Sequence, residues 1–404
     1  MIRRMGMAIG AAVLGGMVGK HHDYADMQTV ASSQTVPARV TIRVDNPLAF
    51  VRHDETVAVP WSDVQRRLAG VSATTVRVLD SEDREIASQV VDDDGDGSLD
   101  AVIFQGDFGA KETRHFTIEA ASPTQRYDSK VAVRHDDPRD DVAWESDRIA
   151  FRIYGEGLKK TPQAMSSSGI DVWNKRTRAL IVEKWYTKKE SYHVDTGEGA
   201  DFYEVGETLG NGGTAGWAKD TIWRADNFKS WRVIATGPIR AIFELRYDAW
   251  NVAGTPVSEI KRIAIDAGSN LYKATSIFST PNGGAIPYVI GTVKRPGMVG
   301  IMSRNNAWAW VTGWGPVAPG NGGHGEMGTA VLIDARTLTR WQEAFGHYMA
   351  VSAATSGKPV VHYIGAGWTD SGDFPTPQSW WRYLDEMAQR IAAPLRVSIE
   401  AARP

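Results

Sequence analysis

The sequence predicts an all-β protein: a small N-terminal β-sandwich followed by a large antiparallel β domain. Short runs of alternating apolar and polar residues, such as "RVTIRVD" and "TRHFTIEA", dominate the chain, and this period of two is typical of strands with one buried face. The 404 residues include 40 glycines and 18 prolines, which separate these runs with turns. One segment, "PQSWWRYLDEMAQRIAAPL", has convincing helical spacing.

The composition excludes several classes of protein. Hydrophobic residues make up 42% of the chain and charged residues 23%, so we expect a packed core rather than a mainly disordered chain. Lys and Arg total 45 against 48 Asp and Glu, and the net charge of −3 provides no basic field for a nucleic-acid partner. The absence of cysteine excludes disulfides, thiol nucleophiles and Cys-ligated metals.

The N-terminus predicts export. Arg3 and Arg4 precede an apolar stretch of small residues from 5 to 19, an arrangement typical of a secretory signal peptide. We assign residues 1–25 to this signal and expect cleavage within 19–33, with an uncleaved anchor as the alternative. Because the stretch is too short to span a bilayer, we expect no stable membrane span after cleavage and a periplasmic or secreted mature protein.

Each predicted domain follows from the spacing of its strands. Residues 38–122 contain short β-rich runs and are predicted to form the small sandwich. The polar stretches "ASPTQRYDSK" and "RHDDPRDD" that follow are typical of a linker. Residues 140–404 contain longer runs, such as "SWRVIATGPIRAIFELRYDAW", and are predicted to form the large domain that carries the active site.

An acid-rich segment in the small domain resembles part of a calcium loop. Asp92, Asp94, Asp96 and Asp100 stand at positions 1, 3, 5 and 9 of such a loop. The bidentate glutamate expected at position 12 is missing, because Ile103 stands there. We therefore favour an acid-rich hairpin turn, with a structural calcium site as the alternative.

The densest group of reactive side chains lies in a glycine-rich segment from Lys184 to residue 213. Glycine weakens both helices and strands, so we expect a long loop, and long loops inside compact domains are usually functional. His193 with Tyr192 or Tyr203 could transfer protons in catalysis. Lys184 could supply positive charge to an anionic substrate or a developing enolate.

The same loop holds candidate metal ligands. His193, Asp195, Glu198 and Asp201 combine an imidazole with carboxylates, a set that suits Zn²⁺ or Mn²⁺, whereas the carboxylates alone suit Ca²⁺. Their spacing matches no diagnostic metal motif. We therefore predict no definite cofactor and keep a divalent metal ion as an alternative to proton transfer. If the loop has no function, it is a solvated loop whose acids are incidental.

Other residues are candidates for contact with substrate. His362 precedes the aromatic turn "GAGWTDSGDFPT" and is the favoured second catalytic histidine. His347 is the next candidate, as a residue that binds substrate. Several tryptophans lie beside glycine or polar residues, and aromatic faces stack on sugar rings. The candidates for such stacking are Trp185, Trp223 and Trp368. Carbohydrate is therefore the predicted ligand, and a role at the edge of the core is the alternative for each tryptophan.

Five blocks in fixed order carry a family resemblance: "WNKRTRALIVEKWY", "YHVDTGEGADFYEVGETLGNGG", "GPIRAIFELRY", "IKRIAIDAGSNLYK" and "HYIGAGWTDSGDF". With them the chain, from about Asn46 to Leu395, resembles the bacterial family called domain of unknown function 4861. The resemblance implies an exported protein of a carbohydrate-utilisation locus. It also implies that the large domain is a galactose-mutarotase-like antiparallel β-supersandwich, the fold of many polysaccharide lyases.

The resemblance further implies β-elimination, by a dehydratase or a lyase, on acidic oligosaccharides that contain uronic acid. Elimination needs a base for the C5 proton, a cation for the carboxylate and an acid for the leaving group. On this basis His193 is the base, Tyr203 or Tyr192 the acid, and Lys184 with Arg240 the carboxylate partner; a metal on the loop could replace the lysine. A glycoside hydrolase or sugar epimerase on the same fold and a non-catalytic glycan-binding protein are the alternatives.

Overall fold

The fold of this chain is known from a computed structural model, which describes residues 38–161, 168–317 and 323–400. The predicted signal peptide, 1–25, lies outside the described residues. The all-β prediction is confirmed: the described residues form 26 strands in five antiparallel sheets, with three α-helices between them. In the described part of the chain, no helix is long and apolar enough to cross a membrane.

The N-terminal lobe is a small β-sandwich. Its elements are β1 (Arg39–Asp45), β2 (Arg52–Pro60), α1 (Trp61–Arg67), β3 (Arg77–Leu79), β4 (Glu85–Ile86), β5 (Ser88–Val91), β6 (Ala101–Phe108) and β7 (Thr113–Glu119). One sheet contains β1, β7, β3 and β4, and the other has the order β2-β6-β5. Alternate residues of the strands, such as Ile42 and Val44, point inward and pack with Phe104 and Phe116 in one buried cluster.

The second lobe begins at residue 131 and contains the longer strands. Its first elements are β8 (Val131–Asp136), β9 (Asp141–Ser146), β10 (Ala150–Tyr154), β11 (Asp171–Lys175), α2 (Val182–Thr187), β12 (Gly199–Ala200), β13 (Asn211–Ala218), β14 (Thr221–Arg224), β15 (Ser230–Ala235), β16 (Arg240–Val252) and β17 (Thr255–Asp266). The elements that follow are β18 (Leu271–Ser279), β19 (Ala285–Val293), β20 (Val299–Ser303), β21 (Trp308–Pro316), β22 (Glu326–Asp334), β23 (Leu338–Ala344), β24 (His347–Thr355) and β25 (Pro359–Trp368).

Three sheets of this lobe share one apolar core. An eight-stranded sheet has the order β15-β16-β17-β18-β25-β22-β21-β20, and two five-stranded sheets have the orders β12-β11-β10-β9-β8 and β14-β13-β19-β24-β23. Their inward-facing side chains belong to a single buried cluster. At its centre, Trp144 lies 5.0 Å from Phe243 and 5.3 Å from Tyr272, measured between ring centroids. This large antiparallel sandwich is the predicted second architecture.

The C-terminus differs from the predicted arrangement. Helix α3 (Pro377–Ala392) is the predicted helix; Thr376 caps its N-terminus, and Trp380 and Leu384 pack against the eight-stranded sheet. The last strand, β26 (Arg396–Ile399), pairs with β1 and so completes a sheet of the small lobe. We expected residues 140–404 to lie in one large domain, but β1 offers an open edge that the returning chain covers.

Candidate active site

The glycine-rich loop folds onto the face of the β8–β12 sheet that points away from the core. Aromatic side chains fix it there, because Trp173 of β11 stacks on Trp185 of α2 at 5.6 Å and on Tyr192 of the loop at 5.3 Å. Gly199 lets the loop return to β11: its φ is +104°, and a Cβ atom there would lie 2.0 Å from the carbonyl oxygen of Asn174. The loop is therefore held against the sheet.

A buried ion cluster lies beneath this loop. The Arg152 guanidinium donates to the carboxylates of Asp171 at 2.7 Å and Asp201 at 3.1 Å, and also to the hydroxyl of Tyr154 at 3.1 Å. All four side chains are buried. Burial, together with the negative charge of Asp171, raises the pKa of Asp201 well above its usual value. One guanidinium thus holds two carboxylates in a region shielded from water.

His193 lies above this cluster. Its Nδ1 is 2.9 Å from the carbonyl oxygen of Asp201. A carbonyl can only accept a hydrogen bond, so Nδ1 carries the hydrogen and the neutral ring presents its lone pair at Nε2. The side chain is 53% exposed, and Nε2 has no hydrogen-bond partner among the described residues. The imidazole is therefore oriented by the protein with its basic nitrogen open.

Tyr192 lies beside this imidazole. The two ring centroids are 4.5 Å apart, and the Tyr192 hydroxyl accepts a hydrogen bond of 3.1 Å from Arg152. Because the guanidinium can only donate, the proton of the hydroxyl remains available to another acceptor. The arrangement places an open base, a fixed phenol and a cation together, which is what a proton-transfer site needs.

A second group of charged residues lies at the other end of the loop. Arg176 donates to Asp195 at 2.6 Å and to Asp370 at 3.1 Å, and its guanidinium lies 4.8 Å from the ring of Trp368. Partial burial raises the pKa of Asp195, but the N–H groups of Gly197 and Gly199 and the charge of Arg176 outweigh it and lower this pKa overall. Asp195 is therefore a stabilised carboxylate.

The predicted loop metal site is not supported by this arrangement. Each candidate carboxylate binds a different cation: Asp195 binds Arg176, Asp201 binds Arg152, and Glu198 accepts a 2.7 Å hydrogen bond from the ammonium of Lys184. Within residues 38–161, 168–317 and 323–400, these carboxylates form no group with the spacing of metal ligands. Each of these acids is thus paired with a cationic side chain of the protein.

The acid-rich turn between β5 and β6 does bring carboxylates together. Oxygen atoms of Asp92, Asp94 and Asp100 all lie within 4.8 Å of one another, whereas Asp96 is outside this group. Backbone N–H groups of the turn already bond to these oxygens, for example from Gly95 to Asp92 at 2.6 Å. These bonds favour the hairpin-turn interpretation, since they account for the acids as parts of the turn.

Both downstream histidines belong to the core and not to the candidate site. His362 is fully buried; its Nε2 is 2.9 Å from the Tyr288 hydroxyl, and burial lowers its pKa to about 3. His347 is also buried, and its Nε2 accepts a 3.0 Å hydrogen bond from the backbone N–H of Leu209. Their placement corrects the expected catalytic and substrate-binding roles, because neither imidazole can reach a substrate in solution.

The structure likewise moves Tyr203 into the core. Its side chain is buried with its ring 4.1 Å from the Arg295 guanidinium, and burial raises its pKa to about 12. It therefore cannot take the role of the exposed acid, and Tyr192 is the remaining candidate. Lys184 stays at the surface, 60% exposed.

The predicted sugar-stacking tryptophans also lie inside the protein. Trp185 is a buried residue of α2, and Trp368 is buried with its Nε1 donating to the carbonyl of His324 at 2.7 Å. Trp223 is half-buried and donates to the carbonyl of Ala218 at 3.1 Å. Their indole rings contribute to packing, because all three lie in or against apolar clusters of the protein.

Arg240 lies in a different part of the molecule. It donates to Asp266 at 2.6 Å and to Asp93 at 2.8 Å, and it lines a cavity at the junction of the two lobes. It does not join Lys184 as a second cation of the candidate site.

Several residues of the site were missed in the sequence. Arg152 and Tyr154 stand two positions apart in the otherwise apolar run "RIAFRIYG", and Asp171 begins the next strand. A charged residue at an apolar position of a strand indicates a buried ion pair, which was the available signal. The pairing of Arg176 with Asp370 joins residues 194 positions apart and leaves no local pattern.

Comparison with known proteins places the chain in a family. The family model described as domain of unknown function (DUF4861) matches residues 44–397. "Uncharacterized protein P7" of Formosa agariphila is 30% identical over 381 residues, which cover 89% of this chain and 93% of that protein.

Two similar solved structures come from Enterococcus faecalis. An alpha-mannosidase has a TM-score of 0.48 and 9% identity, and a glycosyl hydrolase family 38 protein a TM-score of 0.47 and 10% identity. Each match covers 91% of this chain, which spans only 46% and 48% of those two chains. The extent of the family match, almost the whole described chain, means that this protein belongs to the DUF4861 family.

Proposed function

We propose that this protein is an exported carbohydrate-active enzyme that carries out β-elimination on oligosaccharides containing uronic acid, with His193 as the base. The observation that carries the proposal is the oriented imidazole: Nδ1 is bound to the Asp201 carbonyl, Nε2 is open, and the ring centroid lies 4.5 Å from that of Tyr192. A base and an acid that act on neighbouring carbons of one sugar need this proximity.

The proposed elimination uses these two groups in turn. Nε2 of His193 takes the C5 proton of the uronic acid, and the electron pair of that C–H bond forms the C4–C5 double bond. The bond between C4 and its oxygen breaks, and the hydroxyl of Tyr192 gives its proton to the departing oxygen. Arg152 holds the Tyr192 hydroxyl in position through their 3.1 Å hydrogen bond.

Lys184 is the proposed partner of the substrate carboxylate. It is 60% exposed and bound to Glu198. An exposed ion pair contributes only about 0–1 kcal/mol, so the ammonium can exchange Glu198 for a substrate carboxylate at small cost. Its positive charge would then stabilise the negative charge that builds up on the carboxylate as the C5 proton leaves.

The carboxylates near the loop fit hydrolysis less well. A glycoside hydrolase needs one carboxylic acid with a raised pKa beside a second carboxylate. The Lys184 ammonium lowers the pKa of Glu198, and the pKa of Asp195 is also lowered despite its partial burial. Neither group is suited to be the acid, and the buried Asp201 is bound to Arg152.

The test is an assay of the purified protein against a panel of uronic-acid oligosaccharides, followed by ultraviolet absorbance of the conjugated product. We expect His193→Gln and Tyr192→Phe each to lose about 100-fold or more of the rate, the typical contribution of a general acid or base. His115→Gln is the matched control, because His115 is a partly exposed histidine on β7 in the small lobe.

Each other outcome contradicts the proposal in a distinct way. New reducing ends without the chromophore would indicate hydrolysis. Glycan binding that His193→Gln leaves unchanged, with no turnover on the panel, would indicate a binding protein. Equal rates for His193→Gln and His115→Gln would remove His193 from the mechanism even if elimination occurs.

A further inference from the structure

A cavity of about 730 Å³ lies at the junction of the two lobes. Its walls come from β2 of the small lobe, from strands β16, β17 and β18 of the eight-stranded sheet, and from helix α3. The volume falls within the range of small-molecule sites, about 300–1,000 Å³. Neither His193 nor Tyr192 lines it, so the cavity is separate from the candidate active site.

Most of the charged side chains around this cavity are neutralised by one another. Arg240 pairs with Asp266 and Asp93, as described above. Arg148 donates to Asp54 at 3.0 Å, and Arg390 lies 3.3 Å from Glu55. The pairs of Arg240 with Asp93 and of Arg148 with Asp54 join the two lobes, and the pair of Arg390 with Glu55 joins α3 to the small lobe. Together they leave little unbalanced charge along the walls.

Lys273 is the exception. It projects from β18 on the side of the sheet that faces the cavity, between its register partners Ala264 of β17 and Tyr363 of β25. Within residues 38–161, 168–317 and 323–400, its ammonium has no ion-pair partner. Its side chain is exposed to the solvent that fills the cavity; the surrounding walls and the charge of Arg240 lower its pKa, against the opposing charges of Asp93 and Asp266. The ammonium is therefore accessible to a ligand, which would break no ion pair on binding it.

Groups that bind sugar hydroxyls surround this lysine. Tyr363 stands directly opposite Lys273 in the sheet, where paired residues lie about 5 Å apart, and Thr275 also lines the cavity. Glu386 of α3 lines the opposite wall, and it is the one lining carboxylate that lacks an ion pair with any residue described here. The methyl group of Ala264 leaves space above the sheet between these groups.

We propose that this cavity is a second binding site, for a carboxylate ligand of the size of a sugar acid, in which Lys273 binds the carboxylate. The hydroxyls of Tyr363 and Thr275 and the carboxylate of Glu386 bind the hydroxyl groups of the ligand. The proposal does not depend on catalysis at His193, because no residue is shared between the two sites.

The test measures binding of glucuronate, glucose and acetate by calorimetry, with the whole protein and two variants. We expect the wild type to bind glucuronate at least tenfold more tightly than glucose, which lacks the charge, and than acetate, which lacks the hydroxyls. Lys273→Met should remove at least tenfold of the glucuronate affinity. Lys358→Met, a matched control at the exposed turn before β25, should leave it unchanged.

Stability separates a ligand-binding lysine from a structural one. Because Lys273 is exposed in the cavity and makes no ion pair with the described residues, we expect Lys273→Met to melt at about the same temperature as the wild type. The proposal is overturned if glucuronate does not bind, if glucose or acetate binds equally well, or if Lys273→Met keeps the full affinity. A large fall in melting temperature for Lys273→Met would also overturn it, since the lysine would then stabilise the fold. The outcome of the elimination assay with His193→Gln does not bear on these results.

Discussion

Replacing Arg152 with Met should destabilise the protein strongly, because the change removes the cation from a cluster of buried carboxylates. The guanidinium binds Asp171 at 2.7 Å and Asp201 at 3.1 Å, and both acids are buried. Breaking a buried ion pair by removing one partner costs about 3–5 kcal/mol, since the charge left behind cannot be hydrated. Two carboxylates are left here, so we expect a loss of at least about 3 kcal/mol at pH 7.

The loss should shrink in acid. Burial and the charge of Asp171 already raise the pKa of Asp201, and removal of Arg152 raises it further. The folded variant then binds more protons than the unfolded chain, so a fall in pH favours the folded state. Between pH 7 and pH 5 the difference between variant and wild type should narrow by about 1–2 kcal/mol.

Urea unfolding at the two pH values measures both effects. Arg336→Met is the matched control, because Arg336 is 89% exposed and pairs with Asp334 at the surface. It should cost less than about 1 kcal/mol at either pH. A loss for Arg152→Met as small as that of the control, or a loss that grows in acid, would refute this account of the cluster.

Two further predictions concern the loop and the core. Gly197 and Gly199 both have positive φ, but a Cβ atom at 197 would meet open space, whereas one at 199 would clash with the Asn174 carbonyl. Gly199→Ala should therefore lower the melting temperature much more than Gly197→Ala does. Equal shifts in melting temperature for the two variants would contradict this prediction. Folding lowers the pKa of His362 from 6.5 to about 3, so the unfolded chain binds a proton at a higher pH than the folded protein does. The free energy of unfolding should therefore decline as the pH drops from about 6.5 toward 3, by up to about 1.4 kcal/mol per pH unit. His362→Gln should reduce that slope, and an unchanged slope in urea titrations would be the contrary result.

The sequence predicts the strands and helix α3 because their signals are local. Alternation with a period of two identifies strands such as β1 and β7, and helical spacing of apolar residues identifies the helix at Pro377–Ala392. The pairing of β26 with β1 could not be read in this way. That contact joins residues more than 350 positions apart, and the last strand of four residues carries no pattern that distinguishes its partner.

The site was predicted only where neighbours in sequence are also neighbours in space. His193 and Tyr192 are adjacent in the chain and remain adjacent in the fold. The interpretation failed for His362 and Trp368, which are buried at either end of a run that contains Gly365 and Gly367. A glycine in a strand can bring another backbone close as readily as it forms a turn, and Gly365 lies against the backbone of Asn270. Polar neighbours in sequence therefore do not predict exposure in a β protein.

Two side chains of the large lobe have polar atoms that the described residues leave without a partner. Nε2 of His193 is open above the β8–β12 sheet, and the ammonium of Lys273 is open within the junction cavity. Exposure alone does not distinguish such atoms from other polar atoms at the surface, but their surroundings do. The His193 ring is oriented through Nδ1 by its hydrogen bond to Asp201, and Lys273 lies in a concave site of small-molecule size beside Tyr363 and Thr275. A ligand would therefore meet, at each position, an accessible polar atom among groups that can hold the rest of the ligand.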